Sequence, residues 1–329
     1  MQNVEVMNNY VYENIFPYWD WKKIPGTTTL QDDKELPVLT ASGYRIKSRF
    51  VGGVSDGKNG IAVIDYNRNG ITARKSWFNF EGMIVCLGTG INSKESFPVA
   101  TTINQSFLRG EVLMKEKSEK AVPAESSVSC TPQWILHDHT GYFFPDGGNL
   151  QLETKKVAGS WNQVALMYKP ETISAGIFKL WFNHAANPAN RDYAYFLVPG
   201  ATKEKLQSME TRPAFKILKN DTTIQAIVSA DQSVSGAVFY KAGIIDLTVA
   251  VEVDSPCVVM VKRSGKMVSL SVSDPTHLLD QIKLTLKGKF KTENQSVSLK
   301  TEQGKSIIVV HIPKAEEAGK TVTMSLVAL

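Results

Sequence analysis

Short stretches of alternating hydrophobic and polar residues, separated by turn residues, recur along most of the chain. They are rich in β-branched and aromatic side chains, and the clearest lie at 60–66, 83–87, 164–168, 178–183 and 193–198. Turn pairs bound them at Asp56-Gly57, Asn69-Gly70, Gly147-Gly148 and Pro199-Gly200. This pattern predicts antiparallel β-sheet. One short helix is predicted at 202–209, where Thr202 can cap the first turn.

The composition changes near residue 213. All six tryptophans lie at or before Trp181, whereas the later chain is dominated by Val, Ile, Thr and Ser. Seven strands are predicted there, at 222–229, 244–253, 257–262, 267–272, 282–286, 306–312 and 321–327. Strands of this length with polar turns are typical of a β-sandwich. We therefore expect an all-β chain with two domains, 1–213 and 214–329.

The overall composition narrows the class of protein. The 329 residues are 43% hydrophobic and 21% charged, which is ordinary for a globular chain. No apolar run reaches the 18 residues of a membrane-spanning helix, and 1–17 contains no basic segment followed by an apolar stretch, so neither a membrane span nor a signal peptide is predicted. The net charge of +5 favours approach to a polyanion but does not imply nucleic acid.

Few residues suggest a self-contained active site. Cys86, Cys130 and Cys257 are far apart and are expected to be buried free thiols. His137 and His139 alternate as in a strand, which would put both imidazoles on one sheet face, where they could bind a metal or transfer protons. Without a third ligand, buried hydrogen bonding is the favoured interpretation, and His184 is similar. We predict no catalytic constellation, no metal and no cofactor.

Aromatic residues interleaved with cations are a stronger signal. In 73–78, strand geometry puts Arg74 on one face and Lys75 with Trp77 on the other. Such a tryptophan can stack on a sugar ring while the cations hold a carboxylate or sulfate. The alternative is a core tryptophan with solvated neighbours, which spacing alone favours. The aromatic stretch 14–26 contains two prolines and should form an ordered loop packed by Trp19 and Trp21.

Several ordered motifs resemble one enzyme family. The segments 19–28 (WDWKKIPGTT), 50–57 (FVGGVSDG), 73–78 (ARKSWF), 84–91 (IVCLGTGI) and 137–147 (HDHTGYFFPDG) are similar, in this order, to the central β domain of polysaccharide lyase family eight. That family contains chondroitin AC, hyaluronate and xanthan lyases. The segments 159–161 and 193–200 resemble its later strands. The likeness covers about 12–213, and the chain from Ala214 resembles the C-terminal β domain of the family more loosely.

The resemblance implies a fold and a partial role. The fold is an antiparallel supersandwich similar to galactose mutarotase, followed by a small C-terminal β-sandwich. In the family, a preceding α/α toroid supplies the Asn, His, Tyr and Arg that perform β-elimination at a uronate, and the stretch before Trp19 is too short to encode it. We therefore expect a chain that forms one wall of a cleft for an acidic polysaccharide, is inactive alone, and works with a separate or upstream toroid domain.

The resemblance also nominates substrate-binding residues. Trp77 would stack on the polysaccharide and Asn14 would hydrogen-bond a sugar or carboxylate, with charge support from Arg74 and Lys75. Close alternatives to Asn14 are Asn8, Asn9 and Glu13.

One departure from the family concerns a cation site. Some relatives hold a cation beside the 54–57 loop with acidic residues just upstream, whereas this chain has Arg45, Lys47 and Arg49 there, which would repel calcium. Asp56 is therefore expected to shape the turn.

Two other functions stay open at this stage. One is a non-catalytic carbohydrate-binding module that uses Trp77 and the basic stretch 45–49. The other is a mutarotase-like epimerase that uses His137 or His184. By resemblance to the lyases, the protein is expected outside the cell or in the periplasm.

Overall fold

Antiparallel strands form nearly all of the regular structure. The computed structural model describes residues 11–35, 48–294 and 297–329. Neighbouring strands run antiparallel in both halves of the chain. The prediction of an all-β protein is confirmed.

The strands before residue 200 are β1 (Thr28–Leu30), β2 (Val51–Ser55), β3 (Gly60–Arg68), β4 (Ile71–Phe80), β5 (Met83–Ser93), β6 (Pro98–Phe107), β7 (Val112–Lys115), β8 (Glu119–Val122), β9 (Ser126–Cys130), β10 (Trp134–His137), β11 (Thr140–Phe143), β12 (Leu150–Gly159), β13 (Ile173–Ala186) and β14 (Arg191–Val198). Those after it are β15 (Phe215–Asn220), β16 (Ile224–Ser229), β17 (Val234–Phe239), β18 (Gly243–Asp246), β19 (Ala250–Val253), β20 (Cys257–Ser264), β21 (Met267–Ser273), β22 (Gln281–Lys287), β23 (Phe290–Lys291), β24 (Val297–Glu302), β25 (Lys305–His311) and β26 (Val322–Ala328). The helices are α1 (Trp161–Val164) and α2 (Lys203–Thr211), and short 3-10 turns lie at Phe16–Tyr18 and Ala315–Glu317.

The described residues pack into two compact units. The first unit combines the described residues of Met1–Arg45 with Arg68–Thr72 and Ile91–Glu210, and the second combines those of Ile46–Asn67 with Ala73–Gly90 and Thr211–Leu329. Two early segments of the chain thus pack with its C-terminal part. The division into sequence domains 1–213 and 214–329 stays a prediction.

The first unit has an aromatic core between its strands. One sheet has the order β1-β6-β13-β12-β9, and the other strands of this unit follow the order β14-β11-β10-β7-β8. Phe178 and Phe182 project from β13 into the core, where Phe178 stacks on Tyr142 with ring centroids 5.8 Å apart and Phe182 stacks on Tyr193 at 5.3 Å. Buried aromatic pairs of this kind stabilise a core beyond the area that they bury.

The second unit has an aliphatic core. Its C-terminal strands form a seven-stranded sheet, β15-β16-β17-β20-β21-β26-β23, and a five-stranded sheet, β18-β19-β22-β25-β24. Val, Ile and Leu side chains from both sheets are fully buried together, among them Val251, Leu270, Leu284 and Ile308. Strand order in the N-terminal part of this unit is β2-β3-β4-β5.

The predicted strand at 244–253 is wrong, because the structure divides it into β18 and β19. Thr248 lies in the turn between them, and both its backbone N–H and its hydroxyl donate to Ser235 Oγ, at 3.0 and 2.9 Å. These two bonds hold the turn in place of a continuous strand.

The predicted strand at 164–168 is also wrong. This segment follows α1, whose N-cap residue Ser160 accepts a hydrogen bond from the Asn162 backbone N–H. The Asn162 amide then donates to the carbonyls of Leu166 and Tyr168, at 3.3 and 2.8 Å. A loop closed by its own side chain leaves Leu166 exposed, at 90% of its full surface. Local side-chain bonds therefore override β propensity here.

Other local predictions are confirmed. Asn69 and Gly70 form a two-residue turn between β3 and β4 with φ of 51° and 73°, the conformation that an Asn-Gly hairpin prefers. Helix α2 begins after Thr202, whose hydroxyl accepts the Lys205 N–H at 3.3 Å. All three cysteines are buried free thiols.

Candidate functional site

The loop that carries Asn14 is fixed by its hydrophobic neighbours. Asn14 is exposed with φ of 62°, a left-handed conformation that asparagine tolerates better than most residues. The next residue, Ile15, is fully buried, and Pro17 is buried in the 3-10 turn that follows. Asn14 is therefore presented outward from an anchored segment.

Aromatic rings pack along the same loop. The centroid of the Trp19 ring lies 5.2 Å from that of Phe16, 5.5 Å from that of Trp21 and 6.5 Å from that of Tyr12. The predicted packing of this loop by Trp19 and Trp21 is confirmed.

Two buried amides on β6 tie the loop to the sheet. Gln105 Oε1 accepts the Asp20 N–H at 2.8 Å, and Gln105 Nε2 donates to the carbonyls of Asp20 and Lys23. Asn104 Oδ1 accepts the Tyr12 hydroxyl at 2.7 Å. Because these amides are buried, each lost bond would leave a polar atom without water, so the attachment is strong.

Asn14 borders an open pocket within the first unit. The pocket has a volume of about 490 Å³ and is lined by Glu13, Asn14, Phe107, Leu108, Arg109, Ala175 and Gly176. Three separate chain segments build it, and the Leu108 N–H donates to the Gly176 carbonyl at 2.8 Å where two of them meet. Small-molecule binding sites commonly combine apolar lining residues with a few polar groups, as this pocket does.

A buried histidine supports the pocket wall. The Arg109 backbone N–H donates to His137 Nε2 at 3.1 Å, and the imidazole stacks on Phe178 with centroids 4.3 Å apart. His137 is only 1% exposed, and burial lowers its pKa to about 4. An Nε2 that accepts a backbone N–H belongs to a neutral imidazole.

The predicted pairing of His137 with His139 on one face is wrong. Strands β10 and β11 are joined directly by Asp138 and His139, with φ of 44° and 61°, so His139 lies in a two-residue turn. His184 is buried separately and bonds Thr101 Oγ1 through Nε2 at 2.8 Å. Within the described ranges no group of three or more His, Cys, Asp or Glu side chains is placed to hold a metal ion.

The three other candidate residues lie on β4, in the second unit. Arg74 pairs with Asp65, with Nε 3.6 Å from Oδ2, and its guanidinium lies 4.5 Å from the Tyr240 ring centroid. Lys75 and Trp77 share the opposite face, as predicted, and each is only 4% exposed. The Lys75 Nζ lies 5.4 Å from the Trp77 ring centroid, and burial lowers the Lys75 pKa to about 7. This burial favours the core alternative for Trp77, and a binding role stays a prediction.

Asp56 organises its turn as expected. Its carboxylate accepts the backbone N–H groups of Lys58 and Asn59 and pairs with Lys262 at 2.9 Å. Burial alone would raise the pKa of this carboxyl, but the hydrogen bonds and Lys262 outweigh it and lower the pKa to about 2. Arg45, Lys47, Asn8 and Asn9 lie outside the described residues.

Comparison with known protein families gives two matches, which together cover most of the chain. Residues 3–210 match the super-sandwich domain of polysaccharide lyase family 8, and residues 216–283 match the C-terminal beta-sandwich domain of the same family. The chain belongs to polysaccharide lyase family 8. The supersandwich and C-terminal sandwich implied by its motifs are confirmed.

Three curated relatives of the chain carry different enzyme names. A chondroitinase-AC of Pedobacter heparinus is 35% identical over 317 residues, which are 95% of this chain and 43% of that protein. A hyaluronate lyase of Thermasporomyces composti is 27% identical over 82% of this chain, and a xanthan lyase of Bacillus sp. is 27% identical over 80% of it. These matches cover 35% and 30% of the two proteins. The chain thus spans less than half the length of these relatives.

A solved lyase structure has the same fold. A chondroitinase AC lyase, studied in enzyme–oligosaccharide complexes, superimposes with a TM-score of 0.85 at 32% identity over 95% of this chain and 45% of that one. Within the described ranges of the present family member, no helix has the length and apolar character needed to cross a membrane.

Sequence reasoning missed the supporting residues of the Asn14 pocket in this lyase-family chain. Arg109 and Gly176 belong to segments that look unremarkable by themselves, and the β6–β13 pairing brings them together. A signal was nevertheless present. Residues 101–106, Thr-Thr-Ile-Asn-Gln-Ser, form a strand that is fully buried although mostly polar. Buried amides need hydrogen-bond partners, and groups of the loop that carries Asn14 supply them here.

The depressed pKa of His137 predicts a pH-dependent loss of stability. The unfolded chain binds this proton near the ordinary pKa of 6.5, whereas the folded chain binds it only near 4. The stabilisation is therefore complete above pH 6.5 and is lost as the pH falls toward 4. For this group alone we expect a loss of about 3 kcal/mol of unfolding free energy between pH 7 and pH 4.

The measurement is urea unfolding of wild type and His137→Gln at pH 7, 5.5 and 4. Carboxylates titrate in both proteins, so the difference between their pH profiles reports on His137, and the glutamine variant should lose less stability. Identical profiles would show that His137 is not buried as a neutral ring.

Proposed function

We propose that this chain forms the β portion of a polysaccharide lyase and supplies one wall of the cleft that holds an acidic polysaccharide. The observation that supports this most directly is the exposed Asn14 amide at the border of an open pocket of about 490 Å³. Family membership supports an acidic polysaccharide as the class of polymer, since the relatives are named for chondroitin, hyaluronate and xanthan. A uronate-containing glycosaminoglycan or xanthan is thus the proposed ligand.

The chemistry of the pocket suits binding rather than proton transfer. A lyase neutralises the uronate carboxylate, removes the C5 proton with a base and protonates the leaving glycosidic oxygen. The polar side chains that line this pocket are Glu13, Asn14 and Arg109. An amide donates to a sugar hydroxyl or carboxylate but does not serve as the base, and none of these three side chains is the Tyr or His that removes the proton in the family. We therefore assign the elimination step to a separate or upstream α/α toroid domain, and place the protein outside the cell or in the periplasm, where such polymers occur.

Removing the Asn14 side chain tests the proposal. Asn14→Gly keeps the left-handed backbone conformation and deletes the whole side chain, including the amide. We expect it to weaken the binding of chondroitin, hyaluronan or xanthan oligosaccharides about three- to tenfold, the effect of one or two lost hydrogen bonds. Isothermal titration calorimetry of the purified 329-residue chain gives the affinities.

Asn69→Gly is the matched control, because Asn69 has φ of 51° in an exposed turn and does not line the pocket. Equal affinities for both variants and wild type would contradict a role for Asn14. The same preparations should give no rise in the ultraviolet absorbance of unsaturated uronate, and clear turnover would overturn the assignment of the chemistry to another domain.

A further inference from the structure

We propose that Trp161 and Tyr168 form a second sugar-stacking surface for the acidic polysaccharide, beyond the pocket beside Asn14. Both residues lie in the 160–172 loop, which joins β12 to β13. The inference rests on the proposed function and deepens it, because it assigns the residues that hold the polymer where it leaves the pocket. An aromatic ring presents a wide apolar face, which suits the C–H face of a pyranose ring.

The two rings form a partly exposed pair. Their centroids lie 5.4 Å apart, with an angle of 40° between the ring planes. Tyr168 is 48% exposed, and Trp161 is half-buried. Contact with Trp161 restricts the Tyr168 ring, while about half of its surface stays available to a ligand.

Hydrogen bonds fix the backbone that carries these rings. The Asn162 amide donates to the carbonyls of Leu166 and Tyr168, at 3.3 and 2.8 Å, and the Tyr168 N–H donates to the Ala165 carbonyl at 3.1 Å. A ring on a fixed backbone loses less conformational entropy on binding than a ring on a mobile one. The loop therefore presents Tyr168 in a form that is ready to bind.

Both ends of the loop are attached to segments that build the pocket. Gly159, where β12 ends, approaches Pro17 so closely that a Cβ would lie 1.8 Å from its carbonyl oxygen, and α1 contacts the 3-10 turn that follows Asn14. At its other end the loop continues into β13, where Ala175 lines the pocket. The seven residues from Tyr168 to Ala175 span at most about 25 Å. A polymer that extends from the pocket can thus reach the ring pair.

The charge beside the rings suits an acidic polymer. Lys169 is exposed directly after Tyr168, and 160–168 contains no charged residue. An ammonium attracts the carboxylate or sulfate of a sugar that stacks beside it. Glu171, two positions further on, offsets part of this attraction. Stacking is therefore expected to contribute more than charge.

Exposed aliphatic residues at the tip of the loop allow a competing interpretation. Leu166 and Met167 are 90% and 87% exposed, and apolar patches of this kind also mark protein-binding surfaces. The attachment of the loop to the pocket and the cation beside the rings favour the polysaccharide. The two interpretations differ in whether Tyr168 or Leu166 matters for oligosaccharide binding.

A length series of chondroitin sulfate oligosaccharides, from disaccharide to dodecasaccharide, tests the inference by isothermal titration calorimetry of the 329-residue chain. For wild type we expect the affinity to rise in a step once the oligosaccharide reaches both the pocket and the rings. Tyr168→Ala should remove this step, so that long oligosaccharides bind about three- to tenfold more weakly than to wild type. Short oligosaccharides should bind both proteins equally, which also shows that the fold is intact. Tyr168→Phe should retain the step.

Matched controls separate stacking from charge. Leu166→Ala changes the most exposed residue of the same loop and should bind every length as wild type does. Lys169→Gln should weaken the binding of long anionic oligosaccharides and leave desulfated, carboxyl-reduced ones unaffected. Lys117→Gln removes an exposed cation outside the loop, in the same unit, and should change neither.

The results that would overturn the inference differ in what else they overturn. If wild type shows no step, or if Tyr168→Ala keeps it, the rings do not hold the polymer, while the proposed function and the Asn14 result stand. The inference also fails if Leu166→Ala and Tyr168→Ala remove the step equally, because the apolar tip and not the ring pair is then responsible. If wild type binds no oligosaccharide of any length, the proposed function fails together with this inference.

Discussion

Replacing Trp77 with alanine is expected to lower the free energy of unfolding by about 3–5 kcal/mol, the usual cost of deleting a buried aromatic side chain. The ring is 4% exposed, and its neighbours in the strand, Ser76 and Phe78, are fully buried. Because the surrounding side chains cannot close a cavity of this size, the lost contacts are not recovered. Urea unfolding of the single variant measures the effect.

The same variant decides between the two interpretations of this tryptophan. A sugar-stacking ring would give the opposite result, a nearly unchanged melting temperature with oligosaccharide binding weaker by about 1–3 kcal/mol. Asn79→Ala is the control, since Asn79 is exposed on the same strand. A large loss of stability would confine Trp77 to the core, and the substrate-binding residues would then have to lie elsewhere.

Replacing Gly159 with alanine is expected to destabilise the first unit by about 3 kcal/mol, at the upper end for overpacked sites. A Cβ atom at this position would lie 1.8 Å from the Pro17 carbonyl oxygen and 2.5 Å from its carbon. These are backbone atoms of a buried residue, so they cannot swing aside as a flexible side chain would. The loop that carries Asn14 must therefore move, and oligosaccharide binding should weaken with stability.

Gly176→Ala is the steric control for the stability measurement alone, because Gly176 lines the pocket. A Cβ there would lie 3.3 Å from Leu108 Cβ and 3.5 Å from Leu108 Cδ2, and a shift of a few tenths of an ångström relieves these contacts. Tryptophan fluorescence during urea unfolding follows both variants, because Trp19 and Trp21 report on the displaced loop. A Gly159→Ala protein as stable as wild type would show that the loop does not pack against β12 as described.

Local sequence signals were sufficient for much of the fold. Alternation identified most strands, the Asn69-Gly70 pair fixed a hairpin turn, and the Thr202 hydroxyl marked the start of a helix. Each of these features depends on residues only a few positions apart. Local interactions therefore determine it, and distant contacts are not needed to predict it.

The errors arose where a local turn or a local hydrogen bond competed with the strand pattern. His137 and His139 were assigned to one strand, but a two-residue turn at 138–139 reverses the chain. The Asn162 amide likewise closes a loop over a stretch of good strand formers. Alternation carries no information about either feature. The turn needs two residues that accept positive φ, and the loop needs a side chain that can donate to a nearby carbonyl.

The candidate site could be anticipated only in part. The resemblance to the lyases nominated Asn14, and the structure adds the pocket around it. Arg109 and His137 are separated by 28 positions, and only the three-dimensional packing shows that one holds the backbone of the other. Contacts of this range are created by strand pairing and are invisible to spacing along the chain.

The most direct test of the account is a crystal structure of the 329-residue chain with a chondroitin tetrasaccharide. We expect the sugar to lie in the pocket beside Asn14, with an oxygen within hydrogen-bond distance of its amide. A tetrasaccharide bound elsewhere on the chain, with this pocket empty, would contradict the account.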